Sequence, residues 1–540
     1  MVRQGKTLLS GVDPEGRAEK IVNAIAIKER TLYFCPSVLY GYGLVRLLSR
    51  IETEAPSSAV LCVEADCGLF ELSKTSVDSS VLTDKKLHIT NITDIEKLCE
   101  IIKSRWGAKA FRRVETIRLT GGFQLFPELY DSIREKIRSE IASEWSNALT
   151  LNKLGRLFFR NMLRNLPLTL NFRSIDNLNF GSLPVLVLGA GPSLDDFFEK
   201  WTPEKKTERG FKVICVDTCL GALKDRGITP DLVVILESQH WNLRDFIGCK
   251  GWNVPAAADL SSAPASSRLL TGETFLFMTS WTNLRVFERL IKDDLLPAFF
   301  PPLGSVGLTA VEIARRLTSG KIICAGLDFS FTADKYHARS TPGHRSKLNT
   351  QNRFKGILNT VSYDVYSAPV VSKSGCFVYS NPSMKNYRSL FEQEFGGDPR
   401  IFSIEDSGLS LGVKTLSPEK AFSVLIDEEF NRELAQTGTK EHYNIEEQVS
   451  EVSCKNLQLL SFFESEKKRL LELRDILTGE GKTNSERFFI LLEECDYLWG
   501  HLPDYSLGRA PDSSDISFLK RIRAEIDPML KLLENIARIN

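Results

Sequence analysis

The chain has no excess of charge of either sign: 69 lysines and arginines are balanced by 69 aspartates and glutamates. That balance excludes a global field favouring nucleic acid or an anionic membrane, although local patches stay open. Among eleven cysteines there is no C-x-x-C pair, and Cys215 and Cys219 are spaced wrongly for a zinc knuckle. An odd number of thiols in apolar runs such as "VICVDTC" and "IICAGLD" suggests buried, reduced cysteines and a cytoplasmic protein. The sequence lacks a run of about 18 apolar residues that could span a bilayer, and the stretch "MVRQGKTLLSGVDPEGR" lacks the apolar core of a signal peptide. The glycine turn "GAGPSL" is not followed by the G-K-[ST] of a triphosphate-binding P-loop.

What is present is an α/β pattern too long for a single core. Residues 1–92 hold the strand-like runs "TLYFCPS" and "SAVLCVEAD" around the helical "GLVRLLSRIE", a βαβ unit that predicts a parallel sheet. Glu64 closes the second run, where nucleotide-binding folds often place a ribose-contacting acid. Residues 93–180 read as a helical connector, with "DIEKLCEIIKSRW" and "PELYDSIREKIRSEIASEWSNAL" the clearest helices. Its last segment, "LGRLFFRNMLRNLP", reads as an amphipathic connecting helix whose Arg156, Arg160 and Arg164 form a solvated basic face.

Residues 181–415 repeat a strand–helix alternation through "LPVLVLGA", "FKVICVDT", "PDLVVILES", "NVPAAADL", "TFLFMT" and "GKIICAGLDFS". Residues 416–540 read as a helical domain, from "PEKAFSVLIDEEFNREL" to "DISFLKRIRAEIDPMLKLLENIARI". The fold class expected is therefore α/β: a Rossmann-like, doubly wound central domain, a smaller N-terminal α/β domain and a C-terminal helical bundle.

Parallel sheets bind ligands beyond the carboxyl ends of their strands, so the residues delivered there decide the chemistry. The first central strand runs into Gly189, Ala190, Gly191, Pro192 and Ser193. Glycines allow a phosphate to approach the backbone, and the next helix start adds partial positive charge. The turn is not a dinucleotide fingerprint, because Leu194 takes the place of the third glycine and Pro192 removes a donor. The next strands end in Asp217 and Glu237, acids suited to ribose hydroxyls or a base. Gly304 and Ser305 open a second possible anion-binding helix start in "GSVG". "GLDFSFTADKYHA" then carries Asp328, Tyr336 and His337, with Arg339 close by; a His and an Arg beside a phosphate would neutralise a leaving group and shuttle a proton.

Taken together, "GAGPSL", "VDT…GITPD" and "GSVG…GLDFSFTADKYHA" resemble the bacterial motility accessory factors, whose central domain is related to archaeal-type hydroxymethylpterin pyrophosphokinases. The same segments are similar to the CMP-binding turn and the G-[IL]-D-F segment of bacterial sialyltransferases. The resemblance implies a glycosyltransferase that moves pseudaminic or legionaminic acid, nonulosonic acids, from a CMP-activated donor to serine or threonine of flagellin. It implies that Gly189, Gly191, Pro192 and Ser193 surround the donor, and that Asp217 and Glu237 lie near its nucleotide. On the same grounds Ser305 faces the donor, while Asp328 and Tyr336 shape the phosphate and sugar pocket. Two positions depart from the sialyltransferase pattern. Ser330 replaces a tyrosine, and "SKSGCFVYSNPSMKNY" has no histidine where the catalytic one stands, so His337 becomes the candidate general base.

This reading expects no metal and no separate cofactor, the CMP-sugar being a substrate. The expected partner is flagellin, with no nucleic acid and no membrane, and a homo-oligomer stays open. Two other readings fit the same residues: a pyrophosphokinase acting on a pterin, and a non-catalytic flagellar assembly factor that keeps a nucleotide fold.

Overall fold

The computed structural model describes residues 1–107, 109–201, 210–358, 366–426, 445–479, 485–506 and 511–539. They fall into two compact units: residues 1–156 with 499–515, and residues 157–498 with 516–540.

The first unit is built on four parallel strands, β1 (Thr31–Pro36), β2 (Ala59–Val63), β3 (Leu87–Thr90) and β4 (Arg113–Thr116), in the order β3-β2-β1-β4. Both expected strands are present, and β4 arises inside the stretch read as a helical connector. Alternate residues of β1 and β2 point to opposite faces and bury two separate cores. Tyr33, Cys35, Val60 and Cys62 pack under the apolar stripe Leu44, Leu47, Leu48 and Ile51 of α1 (Leu44–Glu54). Leu32, Phe34, Leu61 and Val63 pack under Leu98 and Ile102 of α2 (Ile95–Trp106) and Ile133, Ile137 and Ile141 of α3 (Pro127–Thr150). Asp94 starts α2 by accepting the Lys97 amide at 3.0 Å, a cap that satisfies one orphan donor of the first turn.

The second unit carries a parallel sheet. Its strands are β5 (Val185–Leu188), β6 (Lys212–Val216), β7 (Leu232–Ile235), β8 (Ala256–Asp259), β9 (Thr274–Thr279), β10 (Phe299–Phe300) and β11 (Ile322–Ala325). An exposed antiparallel ribbon, β12 (Ala368–Val371) with β13 (Phe377–Ser380), stands outside it, and β14 (Ile401–Ile404) and β15 (Lys414–Leu416) complete it. The order is β10-β9-β8-β7-β6-β5-β11-β14-β15, with Arg173–Ser174 pairing beside β9. All six strands expected in this region are present; β10, β14 and β15 are short additions at the sheet's two edges.

β5, β7, β8, β9 and β11 are buried along their whole length, as strands covered on both faces must be. The helices that serve the sheet include α4 (Arg156–Asn165), α5 (Leu194–Glu199), α6 (Arg285–Lys292) and α7 (Val306–Leu317), the last packing across β5, β6, β7 and β11. Two long helices follow, α8 (Ile445–Thr478) and α9 (Ile516–Ile539), and pack on each other. They are fastened to the α/β part through a buried charge cluster. Arg289 of α6 donates to Glu466 of α8 at 2.8 and 3.0 Å, and the Tyr497 hydroxyl donates to the same carboxylate at 3.1 Å. Of the helical run expected at 418–434, Pro418–Ile426 is helical and the remainder lies outside the described residues. Among the described residues no helix is long and apolar enough to cross a membrane.

The strand order reverses between β5 and β11. Chain connections run one way from β5 through β10 and the other way from β11 through β15. A crevice opens at such a switch point, beyond the carboxyl ends of the two strands.

Candidate functional site at the switch point

Two glycine-bearing turns meet there. The Gly189 amide donates to Ala325 O and the Gly191 amide to Gly326 O, both at 2.8 Å. This approach leaves no room for side chains: a Cβ on Gly191 would stand 2.5 Å from Asp328 Cγ and 2.7 Å from Gly326 O. Gly326 itself has φ +67°, a left-handed conformation that glycine adopts without strain.

Asp328 then closes the joint. Its Oδ2 accepts the Ser193 amide at 2.8 Å, and its Oδ1 accepts the Ser193 hydroxyl. Burial, and next the nearby Asp406 carboxylate, push the Asp328 carboxyl well above its ordinary range, against the Ser193 hydrogen bonds and Lys373 that lower it. Lys373 holds Asp406 at 2.9 Å, and the Leu409 amide donates to Asp328 O at 2.9 Å. Gly189, Gly191, Pro192, Ser193 and Asp328 are thus one assembly. The amides of Gly189, Gly191 and Ser193 are already bonded to the β11 end, so what Ser193 presents in this state is a hydroxyl bonded to Asp328.

The "GSVG" segment joins from the side. Leu327 Cδ2 lies 2.7 Å from the place a Cβ would take on Gly189 and also on Gly307, so the three segments share one contact point. Ser305 is the N-cap residue of α7, and Gly304 before it has φ +68°. The first α-helical bond runs from the Thr309 amide to Ser305 O at 3.0 Å, so the amides of Val306, Gly307 and Leu308 come before it. Tyr387 stands 3.3 Å from a Cβ position on Gly304; burial and next the Glu237 carboxylate raise its hydroxyl's pKa.

The acids at the ends of β6 and β7 form a third group. Asp217 is buried, accepting Asn242 Nδ2 at 2.6 Å and the Thr218 amide at 2.8 Å. Asn242 in turn accepts the Ser266 hydroxyl at 2.7 Å. Burial pushes Asp217 up to about 6, with Glu237 adding to the rise and the Asn242 and Thr218 bonds opposing it. Asp245, on the same short helix as Asn242, is pushed up to about 7 by burial and next by Asp217. Glu237 accepts the Gln239 amide at 2.8 Å. Asp217 and Glu237 therefore act on the same electrostatic neighbourhood, which reaches Tyr387 beside Gly304.

Tyr336 and His337 lie on a loop pinned above the glycine turn. The Ala338 amide donates to Ala190 O at 2.9 Å. Buried Asp195 clamps the rest: it accepts Lys335 Nζ at 2.8 Å, Arg226 Nη2 at 3.2 Å, and the Arg339 amide at 3.0 and 3.2 Å. Tyr336 stacks on Phe331 with centroids 4.0 Å apart, and Lys347 Nζ sits 3.6 Å above its ring. His337 is held neutral down to about 4 by burial, with the Lys347 and His344 charges adding to that effect. It is consequently unprotonated at neutral pH, the state a proton acceptor needs, though a weak base.

Sequence reasoning missed Asp195, whose role as loop clamp was hidden in "SLDD", and it missed two asparagines of α4. Asn161 Nδ2 donates to Ser238 O and Ser261 O at 2.9 and 3.1 Å, and Asn165 Nδ2 to Leu260 O and Ser262 O, both at 2.9 Å. The connecting helix is in fact a clasp on the carboxyl edge of the sheet. The signal was the i, i+4 asparagine pair in "RNMLRN", which puts two amides on one helix face. In the first unit Glu64 is buried and accepts the Ser37 hydroxyl at 2.6 Å, so its carboxylate is engaged inside the fold.

The family model described as 6-hydroxymethylpterin diphosphokinase MptE-like matches residues 160–334, the stretch that holds α4, the glycine turn, the acids, "GSVG" and Asp328. The match covers the motifs from the glycine turn to Asp328 and ends before Tyr336 and His337. An uncharacterized protein of Treponema pallidum (strain Nichols) is 28% identical over 530 residues, covering 96% of this chain and 90% of that one. The solved structure of the MAf glycosyltransferase from Magnetospirillum magneticum AMB-1 is 15% identical, covering 98% of this chain and 84% of its own, with a TM-score of 0.48.

Proposed function

We propose that this chain is a glycosyltransferase that moves a nonulosonic acid, pseudaminic or legionaminic acid, from a CMP-activated donor to serine or threonine hydroxyls of flagellin. One observation carries the reading. The segments that resemble the CMP-sugar enzymes are spread from Gly189 to Tyr336 in sequence, yet they gather at the carboxyl edge of one sheet, around its switch point. The MptE-like match over residues 160–334 supports the same stretch as the nucleotide-binding part.

In this mechanism the α7 start and Ser305 hold the donor phosphate, with developing charge met by backbone amides aimed at it. Asp217 and Glu237 take the nucleotide, their carboxylates accepting from its hydroxyl or amino groups. The acceptor hydroxyl oxygen attacks the anomeric carbon, the bond from that carbon to the phosphate oxygen breaks, and CMP leaves with the electron pair. The hydroxyl proton passes to His337, and Tyr336 borders the sugar. No step calls for a metal, so EDTA is expected to leave transfer unchanged.

The family description favours a second reading, transfer of a diphosphate from ATP to a hydroxymethylpterin, which requires Mg²⁺. Incubation of the purified chain with flagellin and each CMP-sugar, followed by intact-mass measurement, separates the two. Mass gain by flagellin supports the transferase; no gain, together with pterin diphosphate formed from ATP and Mg²⁺, overturns it.

A further inference from the structure

The end of β7 carries an aromatic pair that the mechanism above leaves unused. Beyond Glu237 the chain turns into the short helix His240–Phe246, whose first two residues are both aromatic. Their ring centroids lie 4.3 Å apart, yet Trp241 is still 58% exposed. An indole braced by a neighbouring ring and largely open to solvent is a surface on which a flat group can stack.

The pair is tied to the acids of the sheet edge. Glu237 Oε1 accepts the Gln239 amide at 2.8 Å, which sets its carboxylate at the start of that helix. Next after Trp241, Asn242 turns inward and donates to Asp217 at 2.6 Å. One turn of chain therefore joins a buried contact with the end of β6 to an exposed indole at the end of β7.

Strand order decides which part of a nucleotide reaches this place. β11, β5, β6 and β7 are neighbours in that order. Their carboxyl ends deliver the Tyr336 loop, the glycine turn with Ser193, Asp217 and Glu237 in turn. A donor laid across them with its sugar at β11 and its phosphate at β5 has its ribose at β6. Its base then falls at β7, two strand spacings or about 10 Å beyond the phosphate.

We infer, on the nucleotide reading of this edge, that Trp241, braced by His240, is the stacking platform for the donor's nucleobase. Every base has a π-face, so the platform selects nucleotides over bare sugar phosphates. Choice among bases falls to Glu237, whose carboxylate accepts from an exocyclic amine.

The test is titration of the full chain with CMP and with ribose 5-phosphate, followed by calorimetry and by indole fluorescence. CMP is expected to quench part of the emission of the seven tryptophans. Trp241→Ala should weaken CMP by at least about tenfold, the order expected for one base on one ring, and change ribose 5-phosphate by less than about twofold. Trp241→Phe should keep most of the CMP affinity and abolish the quench, because its ring stacks without emitting at indole wavelengths. The side chain is largely exposed, so both variants are expected to fold, and unchanged circular dichroism spectra check it. Equal CMP affinity in the parent and Trp241→Ala overturns the platform and leaves the nucleotide site standing. No nucleotide binding by the parent removes both. Quenching by AMP that Trp241→Phe abolishes, with none by CMP, keeps the platform and removes the CMP donor.

Discussion

Asp328 holds Ser193 twice, by the backbone amide at 2.8 Å and by the hydroxyl, across 135 residues of sequence. The first strand of the doubly wound sheet and the first strand beyond its reversal are locked by this pair, so the crevice between them has a fixed wall.

Removing either partner strands buried polar groups in the other. Ser193→Ala deprives a buried carboxyl of one donor and is expected to lower stability by about 1–3 kcal/mol. Asp328→Ala leaves both Ser193 donors unpaired and is expected to cost more. The double variant should cost less than the sum, because both substitutions remove the same interaction. Urea unfolding of the four proteins measures this; strict additivity would show that the pair is not coupled.

Gly191→Ala places a Cβ 2.5 Å from Asp328 Cγ, so the two turns must separate. Loss of donor binding is expected, together with a fall in stability of a few kcal/mol, at the upper end for overpacking (about 1–3 kcal/mol). Gly397→Ala is the control: nothing lies within 4 Å of its added Cβ, so stability should stay within about 0.5 kcal/mol. Equal behaviour of the two would remove close approach as the reason for the glycine.

Asn165→Leu takes the donor from two buried carbonyls, Leu260 O and Ser262 O. A loss of about 1–3 kcal/mol per stranded group is expected, with faster amide exchange at the end of β8. Unchanged exchange there would show that α4 does not clasp the sheet edge.

Much of this was legible in the sequence, for reasons that differ between elements. β5, β6, β7, β9 and β11 read correctly because four consecutive apolar residues are what a strand buried on both faces requires. β4, with its half-buried Arg113 and Glu115, has no such run and was absorbed into a helical stretch. The glycine turn, Asp217 and Asp328 could be placed at strand ends because a parallel sheet sends its ligands there. That Asp328 bonds Ser193, and that Asp195 clamps the loop of Tyr336 and His337, depends on contacts across 135 and 140 or more residues, which no local pattern encodes. Arg160 and Arg164 read as a solvated face because α9, which closes a hollow against them, lies more than three hundred residues away.

Asp217 gives a pH signature with a definite sign. Burial raises its carboxyl from 3.8 to about 6, so the folded protein holds a proton that the unfolded chain releases between those values. Its contribution to stability is present below pH 3.8 and is lost as pH rises through about 6, by up to about 3 kcal/mol. Asp217→Asn keeps the shape without the charge. It is expected to flatten that decline between pH 4 and 6, at the loss of one of the two hydrogen bonds Asp217 accepts, because a carboxamide has a single acceptor oxygen. The check is denaturation at several pH values, and an Asn variant that follows the parent's profile would show that another group sets it.

The most direct measurement of the central claim is the intact mass of flagellin after incubation with the purified chain and a CMP-nonulosonic acid in the presence of EDTA. The account expects flagellin to gain one or more sugar residues, and expects none with Asp328→Asn or Gly191→Ala. No gain with either CMP-pseudaminic or CMP-legionaminic acid, alongside conversion of a hydroxymethylpterin to its diphosphate by ATP and Mg²⁺, would contradict it.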